Sequence, residues 1–324
     1  MLALAGCGTQ QNALAPESHP ARDIASLWWW MLGAAVLGVG LIAGLLLLAW
    51  IRRGRRGIGR DTLGPKPGER ASTAVVLGLG VAMPLALIAA LFVISDMFVI
   101  RTTQAPAATR TTMTVQVIGH QWYWEVRYPG TPAVTADEIH IPVRTPVVLQ
   151  ATTDDVIHSV WVPRLNRKID TIPGQRNEIL LEADAAGDYR GQCAEFCGLQ
   201  HAHMAMIVVA EPRAAFRRWL AANAKPARTV STALAHRGEQ LFMDGACQSC
   251  HTIRGTSATG TAGPDLTHVA SRATLAAVTI RNDPRSLAEW IRDPQHVKPG
   301  NKMPDLPLTS AQVNALVAYL DALR

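Results

Sequence analysis

Two long apolar stretches dominate the first hundred residues. Residues 27–51 and residues 71–94 contain no charged side chain. A helix of about 20 apolar residues, rising ~1.5 Å per residue, crosses a hydrocarbon core of ~30 Å. A helix from a soluble core would show a polar face, and these stretches show none. The pattern therefore predicts two membrane-spanning helices, at about 27–51 and 71–96.

The polar residues between the two stretches are mostly basic. They comprise Arg52, Arg53, Arg55, Arg56, Arg60, Lys66 and Arg70, against Asp61 and Glu69. Loops rich in Lys and Arg stay in the cytoplasm. We therefore expect a multi-pass protein of the bacterial inner (cell) membrane, with everything after about residue 101 on the periplasmic or outer side. Much of the net charge of +6 belongs to this loop and indicates a membrane rather than nucleic acid as partner.

The N-terminal segment, residues 1–24, carries one cysteine. The sequence Leu4-Ala5-Gly6-Cys7 resembles a bacterial lipoprotein processing site, which would make Cys7 a lipidated residue outside the cell membrane. That position agrees with the topology indicated by the arginines. The apolar stretch before Cys7 is short for a signal sequence, so the alternatives are a start further upstream or an incidental thiol.

Two soluble segments follow the second helix. Residues 111–211 are short runs rich in Val, Ile, Thr and Trp, broken by Pro and Gly, which favours an antiparallel β sandwich or barrel. Residues 212–233 indicate a helix and a linker, and residues 234–324 a small all-α domain. Within that domain the predicted helical stretches are 234–245, 272–281, 285–292 and 309–323, the last capped by Thr309 or Ser310.

Soft metal ligands are concentrated in twelve residues of the β segment. Cys193, Cys197, His201 and Met204 supply two thiols, an imidazole and a thioether. Such donors favour copper over hard cations, whereas a zinc site would more naturally use Cys-x2-Cys and four closed ligands. A disulfide between the two cysteines is the simpler alternative, but it leaves the histidine and the methionine unexplained.

The spacing Cys-x-Glu-x-Cys-x3-His-x2-Met resembles the CuA loop of subunit II of cytochrome c oxidases. Residues 119–125, 154–159 and 168–174 also look like segments of that family. The resemblance covers roughly residues 25–211 and implies a cupredoxin barrel. It implies that Cys193 and Cys197 bridge two copper ions, with His158 and His201 as terminal ligands and Met204 as a weak one.

The resemblance also implies roles for two other residues. The backbone carbonyl of Glu195 would bind the second copper, and its side chain would reach a magnesium site at the interface with subunit I. Trp122 would lie where electrons enter, above the copper pair. We interpret His120 and His140 as structural histidines, and His203 as a residue that points away from the metals.

The α-helical segment carries a second cofactor motif. Cys247-Gln248-Ser249-Cys250-His251 is Cys-x2-Cys-His, typical of covalent haem c attachment with the histidine as axial ligand. A thioredoxin-like pair is the alternative, but it lacks a following histidine. Met303, on a loop rich in Pro and Gly, is the predicted second axial ligand. Residues 263–266, Gly238, Phe242 and Tyr319 resemble the packing pattern of cytochromes c, whereas His236, His268 and His296 are expected at the surface.

Together these features resemble subunit II of a caa3-type cytochrome c oxidase, a multidomain chain of a transmembrane hairpin, an all-β cupredoxin barrel and an all-α cytochrome c domain. The resemblance implies electron flow from a donor, a cytochrome c or a bc1-type complex, through haem c and CuA to subunit I, where oxygen is reduced with proton translocation. Subunit III is a further expected partner.

The alternatives to this interpretation are other proteins that bind copper. A nitric oxide reductase subunit can carry the same copper loop. Nitrous oxide reductase differs in its second domain, and subunit II of a quinol oxidase would lack the copper ligands. A copper chaperone would have no use for a haem domain.

Overall fold

The computed structural model describes residues 11–55, 69–105 and 113–324. Cys7 and most of the basic loop, residues 56–68, lie outside the described residues. Helix α1 spans His19–Arg55. A second continuous helix consists of α2 (Glu69–Leu77), a π-helical turn (Gly78–Ala82), α3 (Met83–Ser95), a second π-helical turn (Asp96–Ile100) and α4 (Arg101–Thr103).

Both helices are long and apolar enough to cross a membrane, over His19–Arg52 and Thr73–Ser95. The first helix begins several residues before the predicted position, because helical geometry continues through a polar turn ahead of the apolar run. Pro84 lies in the first turn of α3, directly after the first π-helical turn. Proline has no N–H to donate, and a local π-type adjustment lets the neighbouring carbonyls find other partners.

The next segment folds into ten strands that form two five-stranded sheets. The strands are β1 (Thr114–His120), β2 (Tyr123–Arg127), β3 (Val134–Ala136), β4 (Glu138–Pro142), β5 (Val147–Thr153), β6 (His158–Trp161), β7 (Ile169–Thr171), β8 (Asn177–Leu181), β9 (Gly187–Cys193) and β10 (Ala205–Glu211). One sheet has the order β3-β2-β1-β5-β8 and the other β4-β10-β9-β6-β7.

The prediction of a purely antiparallel sandwich was wrong for two strand pairs. Strand β1 pairs in parallel with β5, and β10 pairs in parallel with β4. Both pairs join strands that are far apart in the sequence. Alternation of apolar and polar residues identifies the buried face of a strand but carries no information about the direction of its neighbour.

The core of this β domain comes largely from apolar residues of its strands. Val115 and Val117 of β1, with Leu149 of β5, are buried at 0–1% exposure. Trp124 of β2 is fully buried and packs edge-to-face on the His158 ring, with centroids 5.7 Å apart. The core therefore extends to the segment that carries the predicted metal ligands.

The residues just before the first long helix pack on the β domain. The Glu17 N–H donates to the Arg164 carbonyl (2.9 Å), and the Glu17 carboxylate accepts a bond from the Arg164 guanidinium (2.7 Å). Gln11 is 3.0 Å from Gln192 through their side-chain amides. The start of the described chain and the β domain thus form one folded unit.

Helix α5 (Arg213–Asn223) follows β10, and a short linker leads to the last domain. Its helices are α6 (Ala233–Asp244), α7 (Cys247–Cys250), α8 (Pro284–Arg292), α9 (Pro294–Val297) and α10 (Ser310–Leu320). Thr309 caps α10, and the cap is reciprocal because the Gln312 side chain accepts a bond from the Thr309 N–H. Helices α6 and α10 pack together, with the rings of Phe242 and Tyr319 5.9 Å apart.

The predicted helix at 272–281 was wrong. Those residues form a small hairpin of β11 (Thr274–Leu275) and β12 (Ile280–Arg281). Ala276, Ala277 and Val278 between these strands have φ values of 54°, 56° and 64°. Three successive left-handed residues cannot continue a right-handed helix. The α-helical domain therefore includes a short β-hairpin.

We expect Gly238→Ala to destabilise the last domain by roughly 1–3 kcal/mol, the usual cost of overpacking. A Cβ at Gly238 would meet the Ala315 carbonyl and lie 2.8 Å from the Tyr319 Cβ. Thermal unfolding followed at the haem absorbance would measure the loss. His236→Ala, at an exposed position on the same helix, is the control, with an expected change within about 0.5 kcal/mol. Equal unfolding temperatures in the two variants would contradict the close contact.

Candidate functional site

The predicted copper ligands lie at one end of the two sheets. Cys193 is the last residue of β9, and the loop to β10 carries the others up to Met204. His158 is the first residue of β6, which pairs with β9. Sheet pairing therefore brings an imidazole to a loop that begins 35 residues later.

Three potential ligand atoms surround the Cys193 sulfur. The Cys197 Sγ is 3.8 Å away, the His158 Nδ1 4.0 Å and the Glu195 carbonyl oxygen 3.2 Å. His158, Cys193 and Cys197 are all buried, with ligand atoms within 4.8 Å of one another. Ligand atoms that are buried and this close together could hold a metal ion.

The Cys197 sulfur has a corresponding set of neighbours. The His201 Nδ1 is 3.7 Å away and the Met204 Sδ 3.8 Å. Each sulfur thus has one imidazole nitrogen and one weaker donor beside it. This set suits two soft metal ions bridged by two thiolates, each ion with its own histidine.

The electrostatics of the cluster favour a thiolate at Cys193. A hydrogen bond from the Cys197 thiol lowers the pKa of Cys193. The same bond, with burial, raises the pKa of Cys197. Burial opposes the charged form of His158, but hydrogen bonds to Cys193 and Asp155 raise its pKa overall. A cation at this position would displace the shared proton, because a metal binds the deprotonated sulfur.

Two residues that the sequence analysis did not single out fix the orientation of His158. Asp155 Oδ1 lies 2.8 Å from His158 Nε2, which leaves Nδ1 facing the sulfurs. Such outer hydrogen bonds orient metal-binding imidazoles. On the other side, a Cβ at Gly119 would lie 2.7 Å from the His158 Cδ2, so only glycine admits the ring there.

The Glu195 side chain points away from the thiols toward the surface. Its carboxylate is 44% exposed and lies 3.3 Å from the Lys168 ammonium. His203 also lies outside the cluster, with its Nδ1 2.8 Å from the Gln200 side-chain oxygen. The carbonyl of Glu195 thus faces the cluster, while its carboxylate is available to a partner.

A second site is a largely apolar cavity in the α-helical domain. The three residues of the Cys-x2-Cys-His motif and the predicted methionine ligand share its wall. Its lining includes Phe242, Cys247, Cys250, His251, Pro264, Leu266, Leu287, Trp290, Met303, Leu316 and Leu320. An apolar cavity beside two free thiols and an imidazole fits a covalently bound porphyrin.

The surroundings of His251 suit an axial ligand. Its Nδ1 lies 2.9 Å from the Pro264 carbonyl, so Nε2 is the nitrogen free for a metal. A Cβ at Gly263 would be 2.5 Å from the imidazole Cε1, and glycine is required at that close approach. Burial lowers the pKa of His251, which keeps the imidazole neutral and able to ligate.

The wall of the cavity also contains a buried positive charge that could bind acidic groups of a cofactor. Arg272 lines it, is only 8% exposed, and its buried Nε has no hydrogen-bond partner among the described residues. A buried guanidinium N–H without an acceptor is costly. The propionate groups of a haem would supply acceptors there, so the residues present fit this cofactor.

The loop that carries Met303 is held by one glutamine that the sequence analysis missed. The Gln295 amide donates to the carbonyls of Asn301 (3.0 Å) and Met303 (2.9 Å). Its oxygen accepts a bond from the Gly300 N–H (2.9 Å), where φ is 81°. These three bonds hold the methionine loop in place at the cavity wall.

Trp122 lies between the two sites. It lines the haem-sized cavity together with Gln121 and Tyr123. Its indole N–H donates to the Cys197 carbonyl at 3.0 Å, and the Gln121 amide donates to the same oxygen at 2.8 Å. The copper cluster and the cavity thus share one wall, made of Trp122 and its neighbours.

The hairpin that replaced the predicted helix forms much of the contact between the two domains. The Ala277 N–H donates to Asp137 Oδ2 (3.2 Å), and the Ala277 carbonyl accepts from the Ala205 N–H (3.3 Å). The Ala273 N–H donates to Glu138 Oε1 at 2.6 Å. Three bonds from the main chain of Ala273 and Ala277 fix the α-helical domain against the β domain.

The histidines that were not predicted to be ligands differ in their exposure. His236 and His296 are exposed, as expected. The expectation that His268 lies at the surface was wrong: it is 6% exposed, with its Nε2 3.0 Å from the Lys225 carbonyl. His140 is also buried and stacks on Trp219 with centroids 3.8 Å apart. His140, His236, His268 and His296 are all absent from the cavity lining.

Comparison with known families agrees with this division into two sites. Residues 133–211 match the periplasmic domain of cytochrome c oxidase subunit II, and residues 235–324 match cytochrome c. The chain joins these two domains. The resemblance seen in the motifs is thereby confirmed, as is the fold class of two apolar helices, a cupredoxin-like β domain and a helical cytochrome c domain.

Several known proteins are similar over much of the chain. "Cytochrome c oxidase subunit 2" of Alkalihalophilus pseudofirmus is 37% identical over 220 residues, 68% of this chain and 64% of that protein. The protein of the same name from Bacillus subtilis is 32% identical over 223 residues, 65% of this chain and 62% of that protein. The chain thus spans somewhat less than two thirds of the length of these relatives.

A solved structure is similar to part of the chain. The periplasmic domain of subunit II of cytochrome oxidase from Bradyrhizobium japonicum is 30% identical and covers 36% of this chain and 94% of its own, with a TM-score of 0.34.

Proposed function

We propose that the chain is the subunit at which electrons enter a caa3-type haem-copper terminal oxidase. Electrons from a donor would pass through haem c and CuA to subunit I, where oxygen is reduced to water with proton translocation. One observation supports this proposal above others: Trp122 lines the cavity beside the Cys-x2-Cys-His motif and bonds to the carbonyl of Cys197. Trp122 thus connects both cofactor sites, and its neighbour Gln121 makes the same two contacts.

The proposed copper centre is binuclear. Cys193 and Cys197 would bridge two copper ions, and His158 and His201 would each bind one. The Met204 thioether and the Glu195 carbonyl complete the set as weak ligands. When bound, the centre supplies one-electron chemistry, and the buried, hydrogen-bonded ligands hold its geometry nearly constant between oxidation states.

The proposed magnesium site uses the carboxylate of Glu195. Its partial exposure lets a second subunit supply the remaining oxygen ligands. Lys168 at 3.3 Å now neutralises this carboxylate and would have to move when the ion binds.

Cys247 and Cys250 would hold the proposed haem c covalently, and His251 and Met303 would ligate its iron. When bound, it supplies a one-electron redox centre. This chain's residues surround it with apolar side chains, hold the imidazole through the Pro264 carbonyl and present the buried charge of Arg272.

The proposed location is the bacterial inner membrane, with both soluble domains on the periplasmic side. The bonds of Glu17 to Arg164 support this topology, because they hold the segment before the first helix on the β domain. The proposed partners are subunit I, subunit III and a cytochrome c or bc1-type donor. Lipidation of Cys7 remains a proposal from the sequence, which mass spectrometry of the mature N-terminus tests.

The experiment that tests the function is the purification of the assembled complex, followed by metal analysis and optical spectra. We expect copper and iron, a near-infrared band of paired copper, a reducible haem c and oxygen consumption. Turnover of nitric oxide with no oxygen consumption would instead favour a nitric oxide reductase. Zinc in place of copper would overturn the proposal.

We expect Met303→Leu to leave the haem attached but to lower its reduction potential. The thioether is the ligand that raises the potential opposite histidine, whereas covalent attachment depends on the two cysteines. Redox titration of the haem band measures the change. Met243→Leu is the matched control, since Met243 is partly buried against the domain core and lies outside the cavity lining. An unchanged potential in the Met303 variant would remove it as a ligand.

A further inference from the structure

Lys298 is a buried cation at the junction of the two domains. It is 2% exposed, and burial lowers its pKa to about 8. Its ammonium donates to the Trp122 carbonyl at 2.8 Å and to the Ala276 carbonyl at 3.3 Å. Both acceptors are neutral, and a buried charge with neutral partners only is costly.

No described carboxylate lies within 4.0 Å of this ammonium. Asp137 is a nearby acid, but its oxygens are 2.8 Å from the Trp124 N–H and 3.2 Å from the Ala277 N–H. Asp137 therefore influences Lys298 across a distance without forming an ion pair. An ammonium has three N–H donors, and the two carbonyls occupy two of them.

Lys298 also lines the cavity of the α-helical domain. The charged lining residues beside it are Asp137, Arg272 and Lys302, which makes three cations and one carboxylate. A haem is apolar apart from its two carboxylate groups. The excess of positive charge in the wall is opposite in sign to these two carboxylates, and Arg272 and Lys298 are its two buried cations.

We propose that Lys298 donates its remaining N–H to a haem propionate and so fastens the haem to the main chain of Trp122. This inference rests on the proposed function, because it requires haem c in the cavity. Lys298 is then a positioning residue. Its ammonium would bind the haem of the α-helical domain and also bonds to the main-chain carbonyl of Trp122 in the β domain. The Trp122 indole in turn bonds to the carbonyl of Cys197, a proposed copper ligand. Its charge also stabilises the reduced haem.

The test uses Lys298→Met in the purified complex. We expect two changes: a lower haem c potential, and a shift of the propionate bending band in the resonance Raman spectrum. Lys302→Met is the matched control, since Lys302 lines the same cavity but its side chain is 60% exposed and lies 3.8 Å from Asp155. It should leave the Raman band unshifted and lower the potential less.

If Lys298 acted only by supporting the structure around Asp137, the variants would change the Raman band and the haem potential in a different pattern. If Lys298 acted only through Asp137, Asp137→Asn would remove both effects of the Lys298 substitution. We expect both effects to persist in that background. Lys298→Gln is a second variant, since its amide can keep a bond to a main-chain carbonyl if the methionine variant fails to fold, and it should also lower the potential.

Failure of this inference is distinct from failure of the proposed function. A chain without covalent haem or paired copper would overturn the function. A chain with both cofactors, in which the Lys298 variants leave the Raman band and the potential unchanged, would overturn the role of Lys298 alone.

Discussion

Replacing Cys197 with serine is expected to abolish the paired-copper spectrum while haem c stays attached and reducible. The Cys197 sulfur lies within 4 Å of Cys193, His201 and Met204, at 3.8, 3.7 and 3.8 Å. A serine hydroxyl is a hard donor that stays protonated, so it cannot bridge two soft ions. We expect copper affinity to fall by more than roughly 100-fold, since outer-shell changes alone cost 10–100-fold.

The measurements are the copper content and the near-infrared band of the purified complex. Cys247→Ser is the matched control, because it makes the same substitution in the other site. It should impair haem attachment and leave the copper band intact. A Cys197 variant that kept the paired-copper band would contradict the bridging role. The cysteine pair would then have a structural role only.

Replacing Trp122 with alanine is expected to slow electron transfer from haem c to the copper centre on the order of 100-fold, the loss that a small misplacement of reacting groups produces. The indole bonds to the Cys197 carbonyl, and its ring packs against Gly198, where a Cβ would lie 3.0 Å from the Trp122 Cζ2. Its removal opens a gap between the haem cavity and the copper ligands. Flash-induced reduction of haem c, followed by the rise of the copper signal, measures the rate.

One further variant of Trp122 and one control show which property of its side chain determines the rate of electron transfer. Trp122→Phe keeps an aromatic ring but loses the N–H, so its rate should lie between those of the parent and the alanine variant. Trp219→Ala is the control, because Trp219 stacks on His140 and lies outside the cavity lining. A parental rate in Trp122→Ala, with both cofactors present, would mean that electrons cross the junction elsewhere.

The proposed roles of Trp122 and Lys298 also bear on how the α-helical domain meets the β domain. A freely tethered domain would raise the effective concentration of haem near copper but would sample many orientations. Main-chain bonds from Ala273 and Ala277 to Glu138 and Asp137 hold one orientation instead. Electrons from an external donor would then reach copper through the haem, since the face of Trp122 is already part of the cavity wall.

The sequence by itself determined the features that depend on short spacing. Two uncharged stretches of membrane length predicted both long helices. Cys193 ends β9 and the loop after it carries Cys197, His201 and Met204, so their spacing alone nearly ensured that two sulfurs, a histidine and a methionine meet. The same holds for Cys247, Cys250 and His251, which share one turn and the residue after it. Local geometry fixes such contacts, because a few backbone dihedral angles decide them.

Only the tertiary structure decided the contacts between distant segments. The parallel pairing of β1 with β5 and the burial of His268 depend on partners far away in the sequence. The strands of the hairpin at 274–281 pair locally, but its tip bonds to the distant Asp137. The position of Lys298 depends on them as well, because its ammonium lies 2.8 Å from the carbonyl of Trp122, 176 residues earlier in the chain. Charge and hydrophobic pattern describe a residue, but the packing of whole domains determines which groups it meets.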